Sequence, residues 1–364
     1  MNETSEKLSF LRDLAVGHAL DAILLQRVSS IAWATSGASV YVNVANSLAE
    51  ASLLLITGKN QHLITNNIEA TRLDKEEGLT SQGWEIHVTP WFEKEIPTLG
   101  LTKGLKLGAD GFFPGALDLS SEIARLRANL NPEEGKRFRA LGMLCAQAMD
   151  TAARSVHPGQ TEYEIASLLA GEAERRGVQV IVNLIAVDER IFNFRHPLPT
   201  DKKLNRYVML VLCGRRWGLV CSLTRFIYFG KLSDEIRHKV EAVARVDAAM
   251  IAATRPGRTI GQIFRTAQEA YAAAGYAGEW RLHHQGGPAG YEPREYLATP
   301  DSNDRVAAGQ VYAWNPSITG YKSEDSVLIG EEGFEVLSAI PGWPTGKVDV
   351  AGQTIERPDI LIVN

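Results

Sequence analysis

Two similar stretches in the second half of the chain decide the fold: HPGQTEYEI at 157–165 and RPGRTIGQI at 255–263. They share the pattern P-G-x-T-x-x-x-I, in which a Pro-Gly turn places a Thr where it can cap the following helix. Each copy follows one helical pattern and begins another, so the pair indicates an internal duplication. The alternative is that a Pro-Gly turn before a Thr-capped helix is common turn chemistry that recurs without common origin.

The segments around the two copies predict the rest of this domain. A long helical pattern at 131–156 opens with Asn131 as a plausible N-cap and Pro132 at the first helical position. Alternating residues at 205–230, interrupted by a Cys-Gly-Arg-Arg turn, predict a β-hairpin, and 309–338 has the same character. We therefore predict a curved antiparallel sheet backed by helices that start near residues 132, 161 and 259.

The first third of the chain alternates helix and strand patterns. A helical pattern runs through Leu8, Leu11 and Leu14, and strand-like runs follow at 21–26, 51–57 and 61–66. This alternation is typical of an α/β domain. A polar helical pattern then precedes Asn131, so we place a boundary near 125–131 and divide the 364 residues into domains 1–130 and 131–364.

Composition and charge narrow the classes of partner. A formal charge of −5 and a pI near 6.0 give no electrostatic reason to expect nucleic acid or an anionic membrane, so the expected partner is a small molecule. The N-terminus has no basic stretch followed by an apolar one, and the longest apolar runs are too short to span a bilayer, which favours a cytoplasmic protein. The three cysteines lack a C-x-x-C spacing and are expected to be reduced.

Four polar segments beside strand patterns are candidates for a functional site: FRHPLPTD at 194–201, SLTR at 222–225, HHQGGPAGYEPRE at 283–295 and WNPSITGYKSED at 314–325. Groups that converge from separate strands are the usual way in which a pocket is built. Each has an ordinary alternative: His196 would be unremarkable as a solvated loop histidine, and Arg225 would as readily pair with a neighbouring acid as clamp a substrate carboxylate. Glu324 and Asp325 are adjacent, so on a strand only one of them can face a given pocket.

Together these segments resemble the pita-bread family that includes creatinase, prolidase, aminopeptidase P and methionine aminopeptidase. The stretch at 7–37 resembles the opening of the family's N-terminal domain, 61–73 resembles its later strand and helix, and 131–166 is similar to the entry into its catalytic half. The resemblance covers nearly the whole chain. It implies a creatinase-type α/β N-terminal domain, a pseudo-twofold pita-bread domain after it, and a homodimer in which the N-terminal domain of one subunit lies near the partner's pocket.

The same resemblance implies that this chain lacks the dinuclear metal centre of most family members. Those members present an Asp two residues before a Gly, an Asp in D-x-T-R, a His in a Gly-rich turn, a Glu before a Pro and a Glu in E-D. The corresponding positions here are Leu212, Ser222, His284, Asn315 and Glu324. Because one carboxylate remains to offset two divalent ions, we expect no bound metal and no cofactor.

Loss of the metal does not imply loss of activity, because creatinase also lacks these ligands and hydrolyses a C–N bond with a histidine and carboxylates. Its catalytic histidine corresponds to His196, although Ser222 stands where creatinase has a Glu. The resemblance therefore implies a metal-independent hydrolase of a C–N bond in a small amino-acid-like, guanidino or amide substrate. Two alternatives stay open: a family member that binds a small ligand without catalysis, and an Xaa-Pro aminopeptidase or dipeptidase.

In the hydrolase hypothesis, the catalytic residues are His196, His284 and Glu324. His196 would act as acid and base, Glu324 would hold a cationic end of the substrate or orient water, and His284 with Asn315 would polarise a carbonyl. The candidate substrate-binding residues are Ser222, Arg225, Tyr291, Glu292, Arg294, Asn315 and Lys322. Arg225 or Arg294 would meet a substrate carboxylate, and the floor of the pocket would be formed by Leu212 and Ser222.

Overall fold

The computed structural model describes residues 2–58, 61–93 and 97–364. The chain divides into two compact units, the first comprising Met1–Asn131 and Trp217–Leu219 and the second Pro132–Arg216 and Val220–Asn364. Cys145, Cys213 and Cys221 are free and buried. Among the described residues, no helix is long and apolar enough to cross a membrane.

The first unit is built around a six-stranded mixed sheet. Its helices are α1 (Glu3–Gly17), α2 (Val28–Ala34), α3 (Ala70–Lys75), α4 (Pro97–Leu101) and α5 (Ser120–Ala128), with a 3-10 turn at Thr80–Gln82. Its strands are β1 (Ala22–Arg27), β2 (Leu48–Ile56), β3 (Gln61–Asn66), β4 (Trp84–Thr89), β5 (Leu107–Ala109) and β6 (Leu117–Asp118). The strand order is β4-β3-β2-β1-β5-β6. The apolar residues Ala22–Leu25 of β1 are buried, and β1 pairs with β2 on one edge and β5 on the other while α1 and α2 contact it.

The second unit holds two four-stranded sheets and longer helices. Its helices are α6 (Pro132–Arg154), α7 (Glu162–Glu174), α8 (Arg190–Asn193), α9 (Asp234–Ala253) and α10 (Ile260–Ala273), with a 3-10 helix at Glu279–Leu282. Its strands are β7 (Gln179–Val187), β8 (Tyr207–Arg216), β9 (Leu219–Phe229), β10 (Gly286–Ala289), β11 (Val311–Trp314), β12 (Ser317–Ile318), β13 (Tyr321–Lys322), β14 (Asp325–Ile329), β15 (Phe334–Val336), β16 (Thr345–Val350), β17 (Gln353–Pro358) and β18 (Leu361–Val363).

The two four-stranded sheets have the orders β18-β9-β8-β7 and β10-β11-β14-β15. They are joined where the backbone N–H of Thr224 donates to Glu324 O at 3.1 Å and that of Ser222 donates to Ser326 Oγ at 3.0 Å. Strand β18 pairs with β9 in parallel, so the predicted antiparallel sheet is wrong for this one pair. The hairpin expected at 205–230 is present as β8 and β9, but the predicted turn is wrong: the Cys-Gly-Arg-Arg stretch belongs to β8, and the chain turns at Trp217 and Gly218.

The two copies of the Pro-Gly turn have the same local structure. Thr161 and Thr259 cap α7 and α10, and each forms a capping box with the side chain three residues later. Gly159 and Gly257 both have positive φ angles, 92° and 86°, which a residue with a side chain rarely adopts. The helices expected near residues 132, 161 and 259 begin within one residue of those positions.

Candidate active site

The second unit contains a cavity of about 430 Å³. Its apolar wall includes residues of the paired strands β7 and β8, among them Val182, Leu184, Val211 and Cys213. Its polar lining consists of His196, His284, Arg294, Asn315, Lys322 and Glu324. These side chains come from separate loops and strand ends, so the structure brings His196, His284, Asn315 and Glu324 together along one pocket.

Glu324 is the carboxylate of this cavity, and three side chains bind it. Arg294 Nη2 lies 2.9 Å from its Oε1 and Lys322 Nζ lies 3.0 Å from its Oε2. Thr224 Oγ1 donates a hydrogen bond of 2.6 Å to the same Oε2. Burial raises the pKa of Glu324, but the charges of Lys322 and Arg294 and the bond from Thr224 outweigh burial and hold the pKa below its usual range. Glu324 is therefore ionised at neutral pH.

Three imidazole rings form a histidine cluster at the cavity, consisting of His196, His283 and His284. His196 Nε2 lies 3.0 Å from His283 Nε2, and the ring centroids of His283 and His284 are 4.4 Å apart. Burial lowers the pKa of each ring. The charge of Lys322 lowers the pKa of His196 and of His283 further. Burial and the charge of Arg294 together lower the pKa of His284 to about 4. All three rings are thus neutral at pH 7, and in the His196–His283 contact one nitrogen donates and the other accepts.

Ser222, Cys213 and Asn315 complete the inner part of the site. Ser222 is fully buried, and its Oγ lies 3.2 Å from both Arg294 Nη1 and Cys213 Sγ. Burial raises the pKa of Cys213 to about 11, so its thiol keeps its proton. Asn315 is 2% exposed, and its Oδ1 has no hydrogen-bond partner within the described part of the chain. That oxygen is an acceptor for a ligand donor.

Four of the seven expected substrate-binding residues are outside the cavity lining: Ser222, which contacts the lining residues Arg294 and Cys213, and Arg225, Tyr291 and Glu292. Arg225 is buried and pairs with Asp325 Oδ1 at 2.8 Å, which is the ordinary alternative for this residue. The hydroxyl of Tyr291 donates to Glu134 at 2.6 Å. Glu292 belongs to the turn after β10, where its carbonyl accepts a backbone hydrogen bond. The substrate contacts expected for Arg225, Tyr291 and Glu292 are therefore absent from the cavity lining.

Leu212 is not on the floor of the cavity. Side chains alternate along β8, and the structure places its neighbours Val211 and Cys213 along the cavity. Leu212 itself is fully buried and is not part of the lining. The family motif places the expected metal ligand two residues before Gly214, at Leu212. The motif does not determine which face of β8 that residue occupies.

Three functional positions were missed from the sequence. His283 was quoted with His284, yet only the second ring was given a role. Cys213 lies in β8, although the sequence predicted a turn there, and Thr224 lies within the SLTR segment. The paired histidines were the one available signal, whereas the contact of Thr224 with Glu324 joins residues that are 100 positions apart.

The side chains of the cavity do not fit a dinuclear metal centre. Ser222 and Asn315 are neutral, and among the described residues that line the cavity Glu324 is the only carboxylate. Lys322 and Arg294 already neutralise Glu324 and would repel divalent ions. A single ion is a separate case, because one donor atom from each ring of the histidine cluster lies within 4.8 Å of the others.

A family model and curated relatives match this chain. The model described as metallopeptidase family M24 matches residues 136–332. An uncharacterized peptidase of Staphylococcus aureus (strain MW2) is 28% identical over 260 residues, which cover 68% of this chain and 72% of that protein.

Solved structures share the fold over almost the full length. The Xaa-Pro dipeptidase from Bacillus anthracis has a TM-score of 0.78 at 18% identity and covers 99% of this chain and 100% of its own. The prolidase from Pyrococcus horikoshii OT3 has a TM-score of 0.77 at 19% identity, with 92% and 98% covered. These likenesses confirm the predicted fold class, an α/β unit followed by a pita-bread unit.

Proposed function

The chain belongs to metallopeptidase family M24, and we propose that it cleaves a C–N bond in a small amino-acid-like, guanidino or amide substrate without the dinuclear metal centre of that family. Membership in a peptidase family supports a hydrolase. The metal-free part rests on one observation: Arg294 binds one oxygen of Glu324, and Lys322 with Thr224 binds the other. A divalent ion would have to displace these cations from the last carboxylate of the site.

The charges along the cavity favour an anionic group on the substrate. Arg294 and Lys322 carry two positive charges against the one negative charge of Glu324, and the histidine cluster is neutral at pH 7. A substrate carboxylate would offset the remaining positive charge and would accept hydrogen bonds from both cations. We therefore replace the expected role of Glu324 in holding a cationic group by a role in positioning Lys322 and Arg294.

His196 is the proposed acid and base. Its ring lines the cavity, and burial together with Lys322 lowers its pKa, so it is neutral and able to accept a proton from water. The water oxygen would bond to the substrate carbon, and His284 with Asn315 would polarise the carbonyl while Arg294 and Lys322 hold the substrate carboxylate. His196 would then pass the proton to the nitrogen as the C–N bond breaks, so that one water is consumed and an amine is released.

The test separates this reaction from metal-dependent hydrolysis. Purified protein is assayed with amide, guanidino and dipeptide substrates before and after dialysis against EDTA, and its metal content is measured by elemental analysis. We expect activity to survive the chelator and to fall at least about hundredfold in His196→Gln, which is the scale of general acid–base effects. Activity that disappears with EDTA and returns with Mn²⁺, Co²⁺ or Zn²⁺ would overturn the proposal.

A second candidate is binding of a small ligand without catalysis. It is favoured by the full pairing of Glu324, which leaves this carboxylate no free oxygen with which to orient water. The buried Oδ1 of Asn315 would serve recognition in either case. In a thermal-shift screen, carboxylate-bearing amino-acid derivatives should raise the melting midpoint by mass action. If they do so while none is turned over, ligand binding replaces hydrolysis as the function.

The metal-dependent alternative, an Xaa-Pro aminopeptidase or dipeptidase, requires carboxylates that the cavity lacks. Restoring them, by Cys213→Asp and Asn315→Glu in the lining and Ser222→Asp beside Arg294, is expected to create Mn²⁺ affinity measurable by calorimetry. The matched triple variant that carries Leu212→Asp instead of Cys213→Asp should not bind, because Leu212 is not part of the lining. Stoichiometric Mn²⁺ binding by the unmodified protein would support the peptidase instead.

We also propose that the protein is a cytoplasmic homodimer, on the basis of its resemblance to creatinase and prolidase. Light scattering at micromolar concentration tests the assembly. A mass near the 39.9 kDa of one chain would contradict it.

A further inference from the structure

The first unit carries a second group of metal-ligating side chains, which the proposed hydrolase does not use. His62 lies on β3, and Glu85 and His87 lie on the neighbouring parallel strand β4. Residues two apart on a strand face the same side, so Glu85 and His87 project together, and His62 is directly paired with Glu85. The side chain of His62 is 11% exposed, whereas those of His87 and Glu85 are 29% and 55% exposed.

The donor atoms of these three side chains lie close enough together to share one metal ion, since one atom of each lies within 4.8 Å of the others. His62 Nδ1 lies 2.9 Å from His87 Nε2 and 3.3 Å from Glu85 Oε2, and His87 Nε2 lies 3.7 Å from Glu85 Oε1. Zinc–ligand bonds of about 2.0–2.1 Å at tetrahedral angles separate ligand atoms by about 3.3 Å. We propose that His62, Glu85 and His87, the strand site, bind one Zn²⁺ ion with a fourth position open to solvent.

The ligand types select the class of metal. Two imidazoles and one carboxylate suit Zn²⁺ and related transition metals, whereas Mg²⁺ and Ca²⁺ take oxygen ligands. Glu85 supplies one negative charge, and its exposure lets solvent offset the rest. In the cavity, by contrast, the positive charges of Lys322 and Arg294 would repel a metal ion.

Bound zinc would stabilise the pairing of β3 with the edge strand β4. Strand β4 is the outermost strand of the order β4-β3-β2-β1-β5-β6, so it has a hydrogen-bonded neighbour on one side only. An ion held by β3 and β4 together would oppose separation of this edge strand, because ligands of a metal must stay within bonding distance. This stabilisation is confined to β3 and β4, and it would be measured as slower amide hydrogen exchange in these two strands.

The experiment uses the full chain and zinc chloride alone as the probe. Because the histidine cluster of the cavity also offers three imidazoles, calorimetry is performed on His196→Gln, which disrupts that cluster. We expect about one equivalent of Zn²⁺ to bind to His196→Gln and none to His196→Gln/His87→Gln. The matched control is His196→Gln/His18→Gln, since His18 lies 3.9 Å from Glu122 in the same unit but joins no three-ligand group among the described residues.

Hydrogen exchange measured by mass spectrometry locates the bound ion. Zinc should slow exchange of β3 and β4 several-fold in the wild type and leave it unchanged in His87→Gln. Glu85→Gln, at a more exposed position, is a second variant in case His87→Gln unfolds. If His196→Gln binds no zinc, or if binding survives both strand-site variants, the proposal is overturned and the three residues form a hydrogen-bonded cluster only. The result does not depend on the proposed hydrolase, which lies in the second unit.

Discussion

Glu324 and Asp325 are neighbours in sequence, and each is a buried carboxylate bound by two cations, but they serve different parts of the second unit. The cations that bind Glu324 line the cavity. Asp325 instead binds Arg225 and Arg357, both at 2.8 Å, whose side chains are 2% and 1% exposed. Because consecutive residues face opposite sides, one dipeptide supplies both a ligand-facing ion cluster and an ion network in the core.

The difference shows which buried ion pairs mark a functional site. In the core, Arg357 also binds Asp247 at 2.7 Å and Ser338 donates to Asp325 at 2.7 Å. Arg357 also borders a second cavity, of about 460 Å³, but its side chain is only 1% exposed. At the cavity, Lys322 and Arg294 border open space in which a ligand can add to their contacts. Charge burial alone is therefore a poor guide, even beside a cavity; Lys322 and Arg294 are distinguished by sharing their cavity with His196, His284 and Asn315.

Asp325→Ala is the strongest test of this comparison. It leaves Arg225 and Arg357 facing each other without their shared carboxylate, and loss of one partner of a buried ion pair costs about 3–5 kcal/mol. Urea denaturation should show that loss in the free energy of unfolding. The control, Glu235→Ala, removes the exposed partner of Lys239 and should leave the free energy of unfolding almost unchanged. Equal effects would show that the core network is not structural.

Glu324→Gln should affect function more than stability. The substitution keeps the size of the side chain but frees Lys322 and Arg294, so we expect hydrolysis to fall at least about hundredfold. The free energy of unfolding should fall by about 1–2 kcal/mol, less than for Asp325→Ala, because water in the cavity can solvate both cations. Initial rates and urea denaturation measure the two effects. Unchanged turnover would remove Glu324 from the site.

Two residues that line the cavity, His284 and Glu324, should make the stability of the protein depend on pH. Burial lowers the pKa of His284 from 6.5 to about 4, so the unfolded chain binds more protons between these values and stability falls as the pH falls from 6.5 to 4. His284→Gln should remove a part of this loss, on the order of 1–2 kcal/mol. Glu324, whose pKa is lowered, adds a further loss below pH 4.5. Urea denaturation at several pH values measures both, and a flat profile in the wild type would contradict them.

The smallest expected effects come from the hydroxyl donors of the two carboxylates. Thr224 donates to Glu324 at 2.6 Å, and Ser338 donates to Asp325 at 2.7 Å. Thr224→Val and Ser338→Ala should each reduce the free energy of unfolding by about 1 kcal/mol, with the larger loss for Ser338→Ala, where water cannot replace the donor. Only Thr224→Val should also change turnover or ligand affinity. A functional effect of Ser338→Ala of the same size would show that the two sides are coupled.

Local features of this protein could be predicted because nearby residues determine them. Thr161 and Thr259 cap helices through contacts three residues away, and Gly159 and Gly257 make the turns that precede them. The resemblance to known proteins then identified four widely separated residues of one cavity, His196, His284, Asn315 and Glu324. The alternation of side chains along a strand predicted that only one of Glu324 and Asp325 faces the pocket, but it did not determine which one.

The sequence by itself therefore determined the fold class, the starts of the main helices and the chemical types that the cavity could hold. Only the tertiary structure decided that Cys213 rather than Leu212 faces the cavity and that Arg294 rather than Arg225 does so. It also decided that the ring of His283 contacts that of His196. The physical reason is that the register of strand pairing, together with partners distant in the chain, determines which face of the sheet a side chain occupies. The pKa values of the site depend in the same way on burial and charge, which exist only after folding.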